Sequence, residues 1–115
     1  MRGPHPTSNF LTLSKAEEAA GIAISVVSDV RSPLKSLADQ IVRSASSVPA
    51  NLAEGAGRTG KDRAYHWKVA YGSAKEVDTH LRLLIGAGAV NATRIGHALA
   101  LFDEVRAMTW RLLHP

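Results

Sequence analysis

Along most of this chain apolar residues return every three or four positions. Leu34, Leu37, Ile41, Ala45, Val48 and Leu52 form one such stripe, the pattern of an amphipathic helix that buries one face. Ala64, Trp67, Tyr71, Ala74, Val77, Leu81 and Leu84 form a second, and Ile95, Leu99, Phe102, Val105, Thr109 and Leu112 a third. An earlier segment, Gly21-Ile-Ala-Ile-Ser-Val-Val27, has the β-branched content of a strand. A lone strand among helices would leave its backbone without a partner, so this segment too is read as helix.

Local signals divide the pattern into elements. Ser14 followed by Glu17 has capping-box spacing and predicts helix 1 from about Lys15 to Arg31. Residues 1–11, with Pro4 and Pro6 and no periodicity, are expected to form a flexible tail. Ser32-Pro33 reads as an N-cap followed by proline at the first position of helix 2. Pro49 falls inside the helix 2 stripe and removes a backbone hydrogen bond, which predicts a kink or an interruption. The glycine-rich stretch Gly55-Ala-Gly-Arg-Thr-Gly60 ends helix 2, and Thr59 with Asp62 caps helix 3. Helix 3 ends near Gly86 to Gly88, and Asn91 caps helix 4. Short connections between four helices predict an all-α, antiparallel up-down four-helix bundle over residues 12–115.

Composition narrows this picture. At 115 residues the chain can build one core but not two. Hydrophobic residues make up 45% but aromatics only 5%, so Ala, Leu, Val and Ile must fill the core and the helices must approach closely. The chain contains no Cys, which excludes disulfides, thiolate metal sites and a Cys nucleophile. Its most apolar run, Ala19 to Val27, is shorter than the roughly 20 residues that cross a bilayer. The polar start, Met1 to Asn9, lacks the apolar stretch of a signal peptide. A cytoplasmic protein without membrane contact is the expectation. Helix 3 carries a second apolar line, Tyr65, Val69, Gly72 and Leu83, and helix 4 shows Leu101, Met108 and Trp110 off its main stripe. Such extra faces predict contacts between subunits, because large exposed apolar patches are rare on monomers.

Charge is unevenly distributed. Residues 1–57 balance at zero, whereas Arg58 to Val90 holds six basic residues (Arg58, Lys61, Arg63, Lys68, Lys75, Arg82) against three acids (Asp62, Glu76, Asp78). Three of the four excess positive charges therefore lie here. Several sit at the N-terminus of helix 3, where each cation opposes the helix dipole by about 0.3 to 1 kcal/mol. That placement suits an anionic partner such as a phosphate backbone.

Catalytic patterns fare worse. Gly55-x-x-x-x-Gly60-Lys61 matches the start of a phosphate-binding loop, but a helix precedes it and Asp62 stands where a magnesium-binding Ser or Thr belongs. The histidines at 5, 66, 80, 97 and 114 show no pair at metal-ligand spacing with a supporting carboxylate. Ser44, Ser46 and Ser47 have no neighbouring base to activate a nucleophile. No catalytic residue, metal or cofactor is expected.

Helix 2 also carries a polar line beside its apolar stripe: Gln40, Arg43, Ser47, Asn51 and Glu54. Folding helix 3 back along helix 2 brings Arg43 level with Ser73 and Glu76, which predicts an Arg43–Glu76 pair, and turns Asn51 toward the region of Tyr65 to Val69. Together these residues read as a semi-buried polar network that sets helix register.

The segment Gln40-Ile-Val-Arg-Ser-Ala-Ser-Ser-Val-Pro-Ala-Asn-Leu-Ala-Glu-Gly55, followed by Gly72-Ser73-x-x-Glu76, resembles the signature of the four-helix-bundle family encoded within intervening sequences of bacterial 23S ribosomal RNA genes. The match covers roughly residues 37–86. Helix 4 agrees in pattern alone, and helix 1 lacks the aromatics often found there. The resemblance implies an antiparallel bundle commonly assembled as a ring-like homopentamer. A related branch, the accessory variability protein of diversity-generating retroelements, binds nucleic acid and a reverse transcriptase. Most of the family has no established biochemical activity.

The combined expectation is a non-enzymatic, oligomeric helical-bundle protein that binds RNA or DNA without sequence preference. Arg58, Lys61, Arg63 and Lys68 are its expected phosphate contacts. Gln40, Arg43, Ser47, Asn51, Glu54, Ser73 and Glu76 are assigned to structure. The alternative is an interaction scaffold whose partner is a reverse transcriptase or another protein, with no affinity for nucleic acid.

Overall fold

The structure, a computed structural model, describes residues 8–115, with side chains from residue 11 onward. Four helices account for most of it: α1 (Ser8–Val27), α2 (Lys35–Ala56), α3 (Gly60–Gly86) and α4 (Ala92–Leu113). There is no strand among the described residues. α1 packs on α2 and α4, and α3 packs on the same two helices, so each helix has two neighbours around one core. The particle measures 46 × 24 × 23 Å, and its long axis matches the roughly 40 Å length of a 27-residue helix.

The core has a division of labour that follows from the sequence. α1 contributes Ala16, Ala19, Ala20, Ala23 and Val27, side chains so short that its backbone lies close to its neighbours. Bulk comes from the other helices: Ile41, Val48 and Leu52 on α2, Trp67, Val77, Leu81 and Leu84 on α3, Ile95, Phe102 and Val105 on α4. The strand-like run Gly21 to Val27 is helical, with Ala23 and Val27 inward. Leu101, expected on an outer face, is buried in the core. It extends the α4 stripe by one position beside Phe102.

Several boundaries differ from the sequence reading. α1 begins at Ser8 rather than near Lys15, so it includes Phe10 and is not without an aromatic as expected for the shorter helix, and Ser14 is an exposed residue inside it. Thr12 is fully buried and in register with Ala16, Ala19 and Ala23, so the buried stripe carries the helix upstream of the cap-like Ser14. Residues 1–7 of the expected tail lie outside the described residues. α1 ends at Val27, and Arg31 belongs to the connection that follows. The Ser32–Pro33 peptide is cis and precedes α2, whose N-cap is Leu34 without a side-chain cap. A turn closed by Leu34 N–H on Arg31 O (2.9 Å) takes the place of the predicted cap. α2 continues through Pro49 without interruption. A proline deletes one helical hydrogen bond, and the buried Val48 and Leu52 on either side hold that turn against the core.

The other two caps stand where the sequence places them. Thr59 precedes α3 in extended conformation (φ −133°, ψ 162°) but makes no side-chain cap bond. Asn91 caps α4, its Oδ1 accepting the Arg94 N–H at 3.0 Å. Between α2 and α3, Gly60 has φ +58°, a left-handed conformation that residues with a Cβ adopt at a cost.

Candidate nucleic-acid interface

The α2–α3 turn is held by side chains from both helices. At its centre Gly55, buried at the end of α2, faces Trp67 of α3. A Cβ at position 55 would lie 2.6 Å from Trp67 Cδ1 and Nε1 and 3.2 Å from the Arg63 carbonyl oxygen. The indole therefore rests on bare backbone, and its Nε1–H donates to Leu52 O at 3.2 Å. This close approach explains why the α2 motif ends in glycine.

Two of the four predicted phosphate contacts are engaged in the same turn. Arg63 is half-buried, and it donates from Nε to Gly55 O (3.1 Å) and from Nη2 to Ala56 O (3.2 Å). Its guanidinium also lies 5.3 Å from the Trp67 ring centre. Arg63 thus caps the C-terminal carbonyls of α2, where a cation opposes no dipole and satisfies orphan acceptors. Arg58 donates from Nε and Nη2 to Glu54 Oε2 at 3.0 and 2.7 Å, and lies 3.7 Å from Asp62. The hydrogen bond and charge of Arg58 hold the Glu54 carboxyl below its ordinary range, and Glu54 in turn raises the Arg58 guanidinium.

Lys61 and Lys68 are different. Both are exposed, and none of the ion pairs among the described residues includes either. With Tyr65, Gly72 and Lys75 they occupy positions i, i+4, i+7, i+11 and i+14 of α3, one outward face. All five residues are exposed, Tyr65 to 62%. Lys75 leans toward Tyr71, with Nζ 5.9 Å from the ring centre. Lys75 was not among the predicted contacts, although its seven-residue step from Lys68 places it on the same face.

The predicted polar network is present only in its middle. Asn51 Nδ2 donates to Ser47 O and Ser47 Oγ, both at 3.0 Å, and Ser73 Oγ donates to Ser47 Oγ at 2.9 Å. The chain ends at His66, whose Nδ1 lies 3.0 Å from Asn51 Oδ1. With the amide nitrogen turned to Ser47, the oxygen accepts and this ring nitrogen carries the hydrogen. Asn51 thus faces the part of α3 expected for it, and His66 is a member the sequence reading left out. Arg43 and Glu76 do not pair: both are exposed, and no ion pair among the described residues joins them. Arg43 stands about 40° around α2 from Ser47 at 3.6 residues per turn, and it is exposed where Ser47 and Asn51 are half-buried at the seam. The Gln40 side chain is exposed, while its carbonyl accepts the Ser44 hydroxyl at 3.0 Å. Glu54 belongs to the turn through Arg58.

The serines weighed as nucleophiles serve the backbone: Ser44 Oγ bonds Gln40 O, and Ser46 Oγ bonds Val42 O at 2.6 Å. Gly55 to Lys61 spans a helix end, a turn and a helix start, without the strand a phosphate-binding loop requires. Among the described residues no group of three or more His, Asp or Glu side chains is placed to hold a metal ion. Nor is any of the described helices long and apolar enough to cross a membrane.

A comparison with curated proteins finds no match. The fold is similar to that of a protein of unknown function from the S23 ribosomal protein family of Bacteroides thetaiotaomicron. The TM-score is 0.85 at 19% identity, over 95% of this chain and 100% of that one. The polar α2–α3 seam and the glycine under Trp67 both fall within residues 12–111, the span that matches the 23S rRNA-intervening sequence protein model, and the chain belongs to that family.

Proposed function

We propose that this is a cytoplasmic, non-enzymatic protein that binds nucleic acid without sequence preference through the outer face of α3. Lys61 and Lys68 are its principal phosphate contacts, and Lys75 extends the same face. The observation that carries the reading is that these ammonium groups are exposed on one face without a carboxylate partner among the described residues. Arg58 and Arg63, occupied by Glu54 and by the end of α2, hold the turn from which that face starts.

The bundle is antiparallel and up-down in this proposal. Contacts that step down α2 as they step up α3 support it (Gly55 with Arg63, Leu52 with Trp67, Ser47 with Ser73). So do Lys15 with Glu104 and Ser25 with Arg94 between α1 and α4. The assembly we propose is a ring-like homopentamer, for which the exposed Leu83 and Trp110 offer apolar surface. A ring would repeat the lysine face around the particle.

Fluorescence anisotropy of labelled RNA and DNA at rising salt tests the reading. Binding to single strands should weaken with a log–log slope of about −0.7 per phosphate contacted. Replacing Lys61 and Lys68 by Ser should flatten that slope by about 1.4 while leaving the helical signal intact. Unchanged binding by the double variant would refute the assignment.

One feature favours the second reading, a protein-binding scaffold. Tyr71, Arg106, Trp110 and Arg111 line an open cleft of about 540 Å³ between α3 and α4, and Trp110 stacks on His114 with centroids 4.1 Å apart. Absence of nucleic-acid binding at low salt would move the proposal there, toward a protein partner such as a reverse transcriptase.

A further inference from the structure

Tyr65 is the most exposed large hydrophobic residue among those described, at 62%. The chain has few aromatics, and Trp67 and Phe102 lie in the core. Tyr65 instead stands outside, between two lysines. Along the α3 axis it is about 6 Å from Lys61 and about 4.5 Å from Lys68 at 1.5 Å per residue. No carboxylate pairs with either lysine among the described residues.

The ring also has an aromatic neighbour. Tyr65 packs edge-to-face on His66, with centroids 5.2 Å apart and planes at 78°. His66 in turn is tied to Asn51 on α2 at 3.0 Å. An exposed ring braced against an anchored neighbour loses little freedom when a second flat group lands on it.

We propose that Tyr65 is a stacking platform for an unpaired base, so that the α3 face takes single-stranded nucleic acid in preference to duplex. This rests on the nucleic-acid reading of the same face. In a duplex the base faces are covered by their neighbours and only edges and backbone are presented. In a single strand each base offers a π-face, and stacking on an aromatic side chain does not depend on sequence. Lys61 and Lys68 hold the phosphates on either side of the base that Tyr65 receives. Gly72, about two helical turns beyond Tyr65, has open space where a Cβ would stand, so the strand can continue along the helix toward Lys75.

The test compares labelled oligo(dT), oligo(U) and a mixed-sequence DNA duplex against the full chain and three variants. Tyr65→Ala should weaken single-strand binding by about five- to 150-fold and leave duplex binding unchanged. Tyr65→Phe, which keeps the ring, should bind single strands like the parent. Lys61→Ser with Lys68→Ser should weaken single strands and duplex alike. Whichever of oligo(dT) and oligo(U) binds tighter identifies DNA or RNA as the source, and either result supports the stacking reading. If Tyr65→Ala binds single strands like the parent, or loses single strand and duplex equally, the proposal is overturned while the lysine face stands. A change in sedimentation of Tyr65→Ala with binding unaltered also overturns it, by assigning the ring to a subunit contact. If the parent binds none of the three probes, the lysine face falls as well.

Discussion

Gly55→Ala should destabilise this protein by about 3 kcal/mol, although alanine is the better helix former. The added methyl carbon would sit 2.6 Å from Trp67 Cδ1 and Nε1, whereas carbon atoms rest at about 3.5–4.0 Å. The Arg63 carbonyl, 3.2 Å from the same point, is backbone of the helix that carries Trp67 and adds a tight contact that moving the indole does not relieve. The indole must therefore move by about 1 Å, within a core where Trp67 is 6% exposed. Overpacking of this kind costs about 1–3 kcal/mol. Displacing the ring also breaks the Nε1–H bond to Leu52 O, leaving a buried donor unmet at about 1–3 kcal/mol. Against these stands at most about 1 kcal/mol of gained helix propensity, and less here because Gly55 is next to the last residue of α2. Urea unfolding followed by circular dichroism and tryptophan fluorescence measures the difference, and a fall in Tm of about 10 °C would accompany it. Gly21→Ala is the control: Gly21 is exposed within α1 with nothing within 4 Å of its Cβ position, so this change should stabilise by about 0.5–1 kcal/mol. In Gly55→Ala with Trp67→Phe the smaller ring should recover part of the loss. Gly55→Ala as stable as the parent, or additive with Trp67→Phe, would refute the argument.

Three further outcomes follow from the same region. Arg63→Met keeps the apolar stem but removes the donors to Gly55 O and Ala56 O; it should cost about 1–2 kcal/mol in urea unfolding, and no loss would mean water caps α2 equally well. Asn51→Ala leaves His66 Nδ1 and Ser47 short of a partner at the half-buried seam, with an expected loss of about 1–3 kcal/mol, larger than for the exposed Gln40→Ala. The Glu54 carboxyl, held down chiefly by the Arg58 hydrogen bond, binds its proton less readily in the folded chain than in the unfolded one. Its contribution to stability is therefore present above the ordinary carboxylate range and is lost as pH falls through its lowered folded value. Carboxyl NMR titration should find Glu54 below an ordinary glutamate, and Arg58→Gln should return it to that range; no difference between the two proteins would disprove the pairing.

The number of helices and most of their inward residues were legible in the sequence. Ile41, Val48 and Leu52, then Trp67, Val77, Leu81 and Leu84, then Ile95, Phe102 and Val105 all lie inside as their spacing predicts, because burial on a helix repeats with its 3.6-residue turn. Ends were less legible. A serine and a glutamate three apart occur inside helices as well as at their starts, and at Ser14 only the buried Thr12 upstream decides between the two. Pro49 weakens α2 by a local rule that core packing of Val48 and Leu52 overrides.

At the candidate site the division is sharper. Sequence by itself determined the family motif, the excess of positive charge after Arg58 and the face that Lys61 and Lys68 share, since all of these depend on residue identity and spacing along one helix. The Arg58–Glu54 pair is a four-residue spacing that the sequence already contains, but only tertiary structure decided that Arg63 is occupied. Arg63 and Lys68 are both basic residues near the start of α3, but Arg63 points at the end of α2 and caps it, whereas Lys68 points away. It likewise decided that Asn51 meets His66 and that Arg43 misses Glu76, because a pairing between two helices depends on their separation, rotation and register. Those quantities are set by the packing of the two helices, the contact of Gly55 with Trp67 included, and no spacing within either helix encodes them.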